Sequence, residues 1–341
     1  LNHSSRLFFA FKDLKQNREN SYYKNWYRNV RFNCNNYYND GFCYDGWAGH
    51  INLVKYNHDN HETREHLFDA VRMWIKEFDI DGLRLDAADA IDMRFLNDLS
   101  KVCKNLKNDF WLKGEIVHGD YGRWIKEGGL DSTTNYEGYK SLWSSFNDKN
   151  FFEISYSLNR QFGEGGIYKN MRLYNFLDNH DVDRISDAIK KTEHLYPLYG
   201  LFFTVPGIPS LYYGSEFGVK GKRTNNSDEQ LRPSLDLNNL KNNSNNLNLI
   251  NEIKRFNAIR NQHKSLKNGD YKNLYVELDC FAFSRNYQEE TIVVAVNGSD
   301  QTKNIKINNI SSNEGFDILN NEKVELKNLT LNPNWLRIVK I

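Results

Sequence analysis

The sequence has no excess charge of either sign: 45 Lys and Arg stand against 44 Asp and Glu in 341 residues, so the formal balance is 45 − 44 = +1 with His neutral. Bulk electrostatics therefore exclude a polybasic protein that holds nucleic acid or a membrane surface. Long apolar runs are missing too. Nothing approaches the roughly 18–20 uninterrupted apolar residues of a membrane-spanning helix, and the chain is expected to be soluble. Cysteines are few and scattered: Cys34, Cys43, Cys103 and Cys280 make no disulfide scaffold, and no CxxC pair marks a zinc site. Only Cys34 and Cys43 are close, in a loop-like stretch, and there free thiols are the expected state over a bridge. The sequence opens on Leu1 with neither a secretory leader nor a transit-type segment behind it. The true amino terminus is expected elsewhere, which leaves cytoplasmic and secreted locations both open.

What is present can fill a core. Hydrophobic residues make up 39% and aromatics 14%, enough for one large domain or two ordinary ones and too much for bulk disorder. Residues 4–57 are rich in Asn, Tyr, Phe and Gly without sustained periodicity, and read as a small irregular subdomain. From His61 to Phe78, Leu67, Val71, Trp74, Ile75 and Phe78 recur at helical steps. A short β run, IDGLRLDAA, follows, then a helical stripe of Phe95, Leu96, Leu99, Val102, Cys103 and Leu106, then a second β run, FWLKGEIV.

The alternation continues through MRLYNFLDNHD, a helix-like stretch from about Glu193 to Thr204, the run PGIPSLYYGSEFG, and a helix from about Leu249 to His263. Alternating strands and helices predict a parallel sheet, and in a long chain the α/β class with a (β/α)8 TIM barrel leads. From about residue 270 short β runs separated by Asn, Gly and Ser turns predict an antiparallel β-sandwich. The Asn-rich insert LDLNNLKNNSNNLN reads as a solvated loop.

Three acids end β runs: Asp86 in GLRLD, Glu115 in KGEI and Asp181 in FLDNHD. In a parallel barrel the C-terminal strand ends open on one face, so residues distant in sequence converge there. Two carboxyl groups, one ionised and one protonated, are what retaining glycoside hydrolysis requires, and a third can hold sugar hydroxyls. Arg84, two residues before Asp86, shares its strand face and is expected to keep it ionised and oriented. Any one of these acids alone would read as a solvated strand end. Asp89, Asp92 and Asp98 fall on the following helix or its cap, where capping accounts for them. Glu216, after YYG, fits a pocket-lining or a structural role equally.

These residues resemble the conserved segments of the alpha-amylase family, glycoside hydrolase family 13. GLRLD, GE and FLDNHD stand in the family's order, LNHSS resembles the end of its first segment, HINLVKYN the motif closing its inserted loop domain, and GIPSLYYGSEFG its eighth strand. The resemblance implies the (β/α)8 barrel with residues 1–57 as the end of barrel strand 3 and the inserted loop subdomain, 58–268 as the rest of the barrel, and 269–341 as the C-terminal sandwich. It implies Asp86 as nucleophile, Glu115 as general acid and then base with a raised pKa, and Asp181 as the carboxylate gripping sugar hydroxyls. His3 and His180 would hydrogen-bond the same sugar, and Arg84 would position Asp86. Asn2 matches a calcium ligand of many relatives, though one oxygen falls short of the six to eight that Ca²⁺ takes. No cofactor is implied for the chemistry.

Two departures accompany the resemblance. About five barrel strands, with the end of another, can be counted, fewer than closure needs. The family's opening strands and the Asp that begins its first segment are absent, so a fragment with exposed strand edges is expected. After the nucleophile position the chain reads Ala87-Ala88-Asp89-Ala90, closer to the maltodextrin- and oligosaccharide-acting members than to those with Lys-His. The expected partner is an α-glucan or maltooligosaccharide substrate cleaved at α-1,4 bonds. An α-1,6-glucosidase or a transglycosylase is the alternative, and a non-catalytic member or inactive fragment a further one. Neither nucleic acid nor membrane is expected as a partner, and the oligomeric state is open. Trp47, Tyr37, Tyr38, Tyr44, Tyr136 and Tyr212 are candidates to stack on sugars, although core packing accounts for most aromatics. No motif gives the C-terminal sandwich a glucan-binding role, and it is expected to be structural.

Overall fold

The computed structural model describes residues 1–224, 227–242 and 244–341. They form two units, Leu1–Thr134 and Asn135–Ile341.

The first unit opens with β1 (His3–Ser5), α1 (Phe9–Asn17), β2 (Gly46–Trp47) and β3 (His50–Lys55). β3 is central, antiparallel to both other strands, with His3 opposite Lys55. The region expected to be irregular thus holds a helix, α1, which buries Ala10, Phe11 and Leu14. Phe11 and Phe42 are both fully enclosed, with Tyr27 and Tyr44 edge-on to Phe11. Cys34 and Cys43 are joined as a disulfide, Cα atoms 5.8 Å apart, which corrects the expectation of free thiols. Hydrophobic burial in a loop-rich segment this short is limited, and the bridge supplements it.

α2 (His61–Phe78) starts where the Asn60 side chain accepts the Thr63 N–H at 2.9 Å and stops at Asp79 in a left-handed conformation, φ 50°. It packs against α3 (Met93–Leu106), which is capped by Asp92 accepting from the Phe95 N–H at 3.0 Å. Between them runs β4 (Gly82–Leu85), followed after α3 by β5 (Trp111–Gly114), α4 (Tyr121–Lys126) and β6 (Ser132–Thr133). The three strands lie parallel in the order β4-β5-β6, with Arg84 opposite Lys113 and Lys113 opposite Ser132. Their C-terminal ends therefore face one way, with Asp86 just beyond β4 and Glu115 just beyond β5.

The second unit begins with two helices that the hydrophobic pattern does not announce, α5 (Tyr136–Asn147) and α6 (Phe151–Phe162). β7 (Tyr174–Phe176), α7 (Ile185–Ala188), α8 (Leu195–Thr204) and β8 (Ile208–Ser210) follow, β7 and β8 pairing in parallel. A buried amide ladder sets β7: Asn135 donates to Asn175 Oδ1 at 2.9 Å, and Asn175 donates to Pro206 O at 2.7 Å. The insert expected to be a loop is helical from Leu237 on, as α9 (Leu237–Asn242) and the start of α10 (Ser244–Gln262), while its Asn243 lies outside the described residues. Asp236 Oδ1 starts α9 by accepting the N–H groups of Asn238 and Asn239 at 2.9 and 3.3 Å, which offsets the low helix preference of its asparagines.

After α11 (Lys264–Asn268) come β9 (Asp270–Val276), β10 (Cys280–Tyr287), β11 (Glu290–Asn297), β12 (Lys303–Ile305), β13 (Glu314–Asp317), β14 (Glu322–Glu325), β15 (Leu329–Leu331) and β16 (Trp335–Lys340). Six form an antiparallel sheet in the order β14-β13-β16-β11-β10-β9, and β12 pairs antiparallel with β15. Ala282, Val293 and Ala295 face a core shared with Ile305, Ile307 and Leu329. α6, α8 and α11 also pack against strands of the six-stranded sheet. Burial of β11 on both sides explains why ETIVVAVN is a continuous apolar run and not an alternating one.

Candidate active site

In the first unit, parallel pairing fixes which side chains meet. Residues two apart on a strand share a face, so Arg84 and Asp86 on one strand lie beside Lys113 and Glu115 on the next. Arg84 Nη2 lies 2.9 Å from Glu115 Oε2, and its Nη1 lies 3.4 Å from Asp86 Oδ1. The guanidinium thus bridges two carboxylates, and its closer partner is Glu115 where Asp86 alone was expected. The two differ in setting: the Asp86 side chain is 64% exposed and that of Glu115 11%.

Ala87 turns the chain after Asp86 with φ 44°, in the left-handed region that a residue with a Cβ seldom adopts. The turn aims the Ala87 N–H at Glu115 Oε2, 3.3 Å away, and the next N–H, of Ala88, donates to Glu115 O at 3.0 Å. Gly114 lets these segments close, because a Cβ there would stand 2.5 Å from Leu130 Cδ1 and 3.0 Å from Ala88 Cβ. Lys113, which the sequence reading passed over, is buried beneath Glu115. Burial and the Arg84 charge lower its ammonium pKa to about 8, with the Glu115 charge pulling the other way.

His3 lies in the same unit, its ring 5.9 Å from that of Trp47, which in turn stacks on His50 at 6.0 Å. Burial lowers the His3 imidazole pKa, and the neighbouring Asp86 charge opposes that shift. Tyr44 is buried with its hydroxyl on Asp40, and Tyr38 lies under the Arg6 guanidinium, 3.8 Å from ring centroid to Cζ, whereas Tyr37 is exposed. Asn2 is buried, and its Oδ1 has no hydrogen-bond partner among the described residues. One orphaned amide oxygen is a donor of the kind calcium uses, but no group of three or more His, Cys, Asp or Glu suited to a metal occurs among the described residues.

In the second unit, β7 runs into the loop that carries His180 and Asp181. Asp178, buried, accepts the Ile185 N–H at 2.9 Å and the Ser215 hydroxyl at 2.7 Å. Burial raises its pKa against those hydrogen bonds. Arg184, fully buried, donates to Tyr213 O at 2.7 Å and stacks 4.1 Å over the Tyr212 ring, which gives that tyrosine a structural contact. Asn179 Oδ1 accepts the N–H groups of Asp181 and Val182 at 2.8 and 3.2 Å, folding the tip into a tight turn. Its amide also donates to the Tyr136 hydroxyl at 3.3 Å. Glu216 sits on a short turn, Ser215–Phe217, with Oε2 buried and unpartnered among the described residues.

His180 Nε2 is 3.0 Å from Asp181 Oδ2, and Arg232 Nη2 is 3.2 Å from the other oxygen, Oδ1. Arg232 also donates from Nε to His180 O at 3.2 Å and pairs with Asp228 at 2.6 Å. Arg223 donates to Asp181 O at 3.2 Å. Sequence reasoning missed both arginines, since each sits in a polar stretch without periodicity. Asp228 and Arg232 at the two ends of Asp228-Glu-Gln-Leu-Arg232 were the only available signal, a charge pair at helical spacing.

Residues 1–246 match the alpha amylase catalytic domain, and residues 269–332 match the alpha-amylase C-terminal domain. Since the first match spans well over half of the chain, the chain belongs to the alpha-amylase family. A cyclomaltodextrinase of Thermoanaerobacter pseudethanolicus is 28% identical over 345 residues, covering 99% of this chain and 58% of that protein. Neopullulanase 2 of Thermoactinomyces vulgaris is 28% identical over 351 residues, covering 97% and 57%. The chain thus spans less than two thirds of the length of these curated relatives. Among solved structures, a cyclomaltodextrinase superposes with a TM-score of 0.85 at 24% identity, covering 100% of this chain and 59% of that one. A debranching enzyme of Nostoc punctiforme gives 0.80 at 25%, covering 100% and 74%. The family and the fold class read from the sequence are both borne out: an alpha-amylase barrel-type catalytic domain with an antiparallel C-terminal domain. No helix among the described residues is long and apolar enough to cross a membrane.

Proposed function

We propose that the chain carries the catalytic residues of a retaining glycoside hydrolase that cleaves α-1,4-glucosidic bonds in starch-type glucans or maltodextrins. The supporting observation is the pair of carboxylates at neighbouring parallel strand ends, Asp86 and Glu115, bridged by one guanidinium, Arg84, and set in different degrees of exposure. A nucleophile and a proton donor need that combination of proximity and unlike environment.

In this reading Asp86 attacks the anomeric carbon while Glu115 gives its proton to the leaving oxygen, and Glu115 then takes a proton from the water that releases the sugar. Asp181 accepts hydrogen bonds from sugar hydroxyls, and His3 and His180 donate to the same sugar. Arg84 orients both Asp86 and Glu115. No cofactor takes part. The named relatives, a cyclomaltodextrinase and a neopullulanase, support a malto-oligosaccharide or related α-glucan as substrate class.

The test is product analysis with maltohexaose, beside isomaltohexaose for the α-1,6 alternative, comparing the chain with its Asp86→Asn and Glu115→Gln variants. Shorter maltooligosaccharides released as the α anomer, at a rate lowered at least about 10²-fold in each variant, are expected. Turnover unchanged by Asp86→Asn, or release of the β anomer, would overturn the assignment.

A further inference from the structure

Within the Asn135–Ile341 unit, the crevice between the start of α8, the face of α10 and the start of β16 is a cavity of about 510 Å³. That size is in the range of small-ligand sites. Tyr196 and Trp335 form its apolar part, ring centroids 6.4 Å apart and planes inclined at 42°. The Trp335 indole N–H donates to Asn320 Oδ1 at 3.0 Å, which anchors the ring by its edge.

The rim is polar but not cationic. Glu193, Asn248, Asn251 and Glu252 line it, and no Lys or Arg is among its described lining residues. An anionic ligand is therefore disfavoured. Glu252 is already neutralised by Arg255, two contacts of 2.8 Å, so a cationic ligand gains little there. The exposed amides of Asn248 and Asn251 offer donors and acceptors together. Tilted aromatic plates bordered by amides and carboxylates complement a neutral ligand with apolar faces and hydroxyl edges, which describes a sugar chain. The tilt suits a curved chain, whereas a flat ribbon needs coplanar plates. A proline-rich peptide also favours aromatic grooves, but it brings only carbonyl acceptors. Here the indole donor is taken by Asn320 and only the Asn amides can donate, so the carboxylates of Glu193 and Glu252 would face such a peptide without a donor, whereas sugar hydroxyls serve both.

We propose that the Tyr196–Trp335 crevice is a second α-glucan-binding site, built from none of the residues assigned to catalysis. It rests on the reading that α-glucans are the substrate class, and it gives the C-terminal β domain, through Trp335, a role beyond structure.

The experiment is a titration of the 341-residue chain carrying Asp86→Asn, with its seven tryptophans ¹⁵N-labelled and the Trp335 indole resonance assigned by Trp335→Phe. Maltohexaose is the probe, with cellohexaose and hexaproline in parallel. A saturable shift of the Trp335 resonance with maltohexaose only is expected, the affinity falling roughly tenfold in Tyr196→Ala. Tyr196 is at the solvent-facing start of a helix, so this variant tests the site even if substitutions at Trp335 disturb folding. A resonance unmoved by maltohexaose, an equal response to cellohexaose, or a response to hexaproline overturns the proposal. Product analysis on the unmodified chain keeps the two readings apart. Products without a Trp335 shift defeat the second site alone, and a shift without products defeats only the catalytic assignment.

Discussion

Arg84 Nη2 stands 2.9 Å from Glu115 Oε2, closer than the 3.4 Å between its Nη1 and Asp86 Oδ1. One guanidinium on β4 thus serves the carboxylate that follows its own strand and the one that follows β5, and holds them in a fixed relation. Its planar fork suits this double contact, which the point charge of a lysine cannot reproduce. Arg84→Gln is expected to lower kcat by on the order of 10²-fold, with a smaller change in KM. Arg84→Lys should recover only part of it. Steady-state kinetics on maltohexaose check this, and a kcat of Arg84→Lys equal to that of the unmodified chain would show that the charge rather than the fork matters.

Arg232 stands in a similar relation to Asp181. It holds Oδ1 while His180 holds Oδ2, and its Nε ties down the His180 carbonyl. In the proposed mechanism it acts through Asp181, which makes it a positioning residue. Arg232→Gln should free the carboxylate to rotate, lowering kcat roughly tenfold. Arg232→Lys, which keeps one contact, should lie between. A purely structural role would instead lower the melting temperature and leave the kcat of the folded fraction unchanged, so thermal denaturation is measured on the same samples.

Much of this was legible in the sequence, for identifiable reasons. GLRLD and WLKGE show because a buried parallel strand is a short apolar run and its end is marked by an acid. α2 and α3 show because their buried residues recur at helical steps and Asn60 and Asp92 cap them. α5 was hidden because Ser141, Ser144 and Ser145 occupy its buried face. All three hydroxyls turn back onto the helix: Ser141 donates to Gly138 O at 3.0 Å, Ser144 to Lys140 O at 2.8 Å and Ser145 to Ser141 O at 2.7 Å. Polar residues that satisfy themselves in this way erase the amphipathic stripe. α1 has no side-chain cap, and its aromatics merge with those of the loops around it. At the candidate site, Asp86, Glu115 and Asp181 stood out by strand-end position. The Arg232 contact did not, because it joins residues 51 apart through a segment with no pattern of its own.

Gly114 separates the strand from the carboxylate it presents. A Cβ there would meet Leu130 and Ala88, and Ala88 is fully buried and follows the strained Ala87 turn. Gly114→Ala is expected to destabilise the fold by about 1–3 kcal/mol, the usual range for overpacking. It should also loosen the Ala87 N–H contact to Glu115. Chemical denaturation gives the first quantity, and Ala88→Gly made in the same chain should restore part of the stability by relieving one of the two clashes.

The Glu290 carboxylate, at the start of β11, accepts the Ser265 N–H at 2.9 Å and lies 2.7 Å from His263 Nδ1, so it ties the end of α10 and the start of α11 to the sheet. Burial alone would raise its pKa, but the hydrogen bonds from His263 and Ser265 outweigh it and bring the group down to about 2. An unfolded glutamate titrates near about 4.3. The folded value lies below the unfolded one, so the contribution to stability is present above about pH 4.3 and is lost as the pH falls toward 2. At full strength it is on the order of 2–3 kcal/mol. The melting temperature of the chain should therefore fall between pH 5 and pH 2, and that of Glu290→Gln should start lower and fall less over the same interval. Parallel pH profiles for the two proteins would show that the contact carries no such stability.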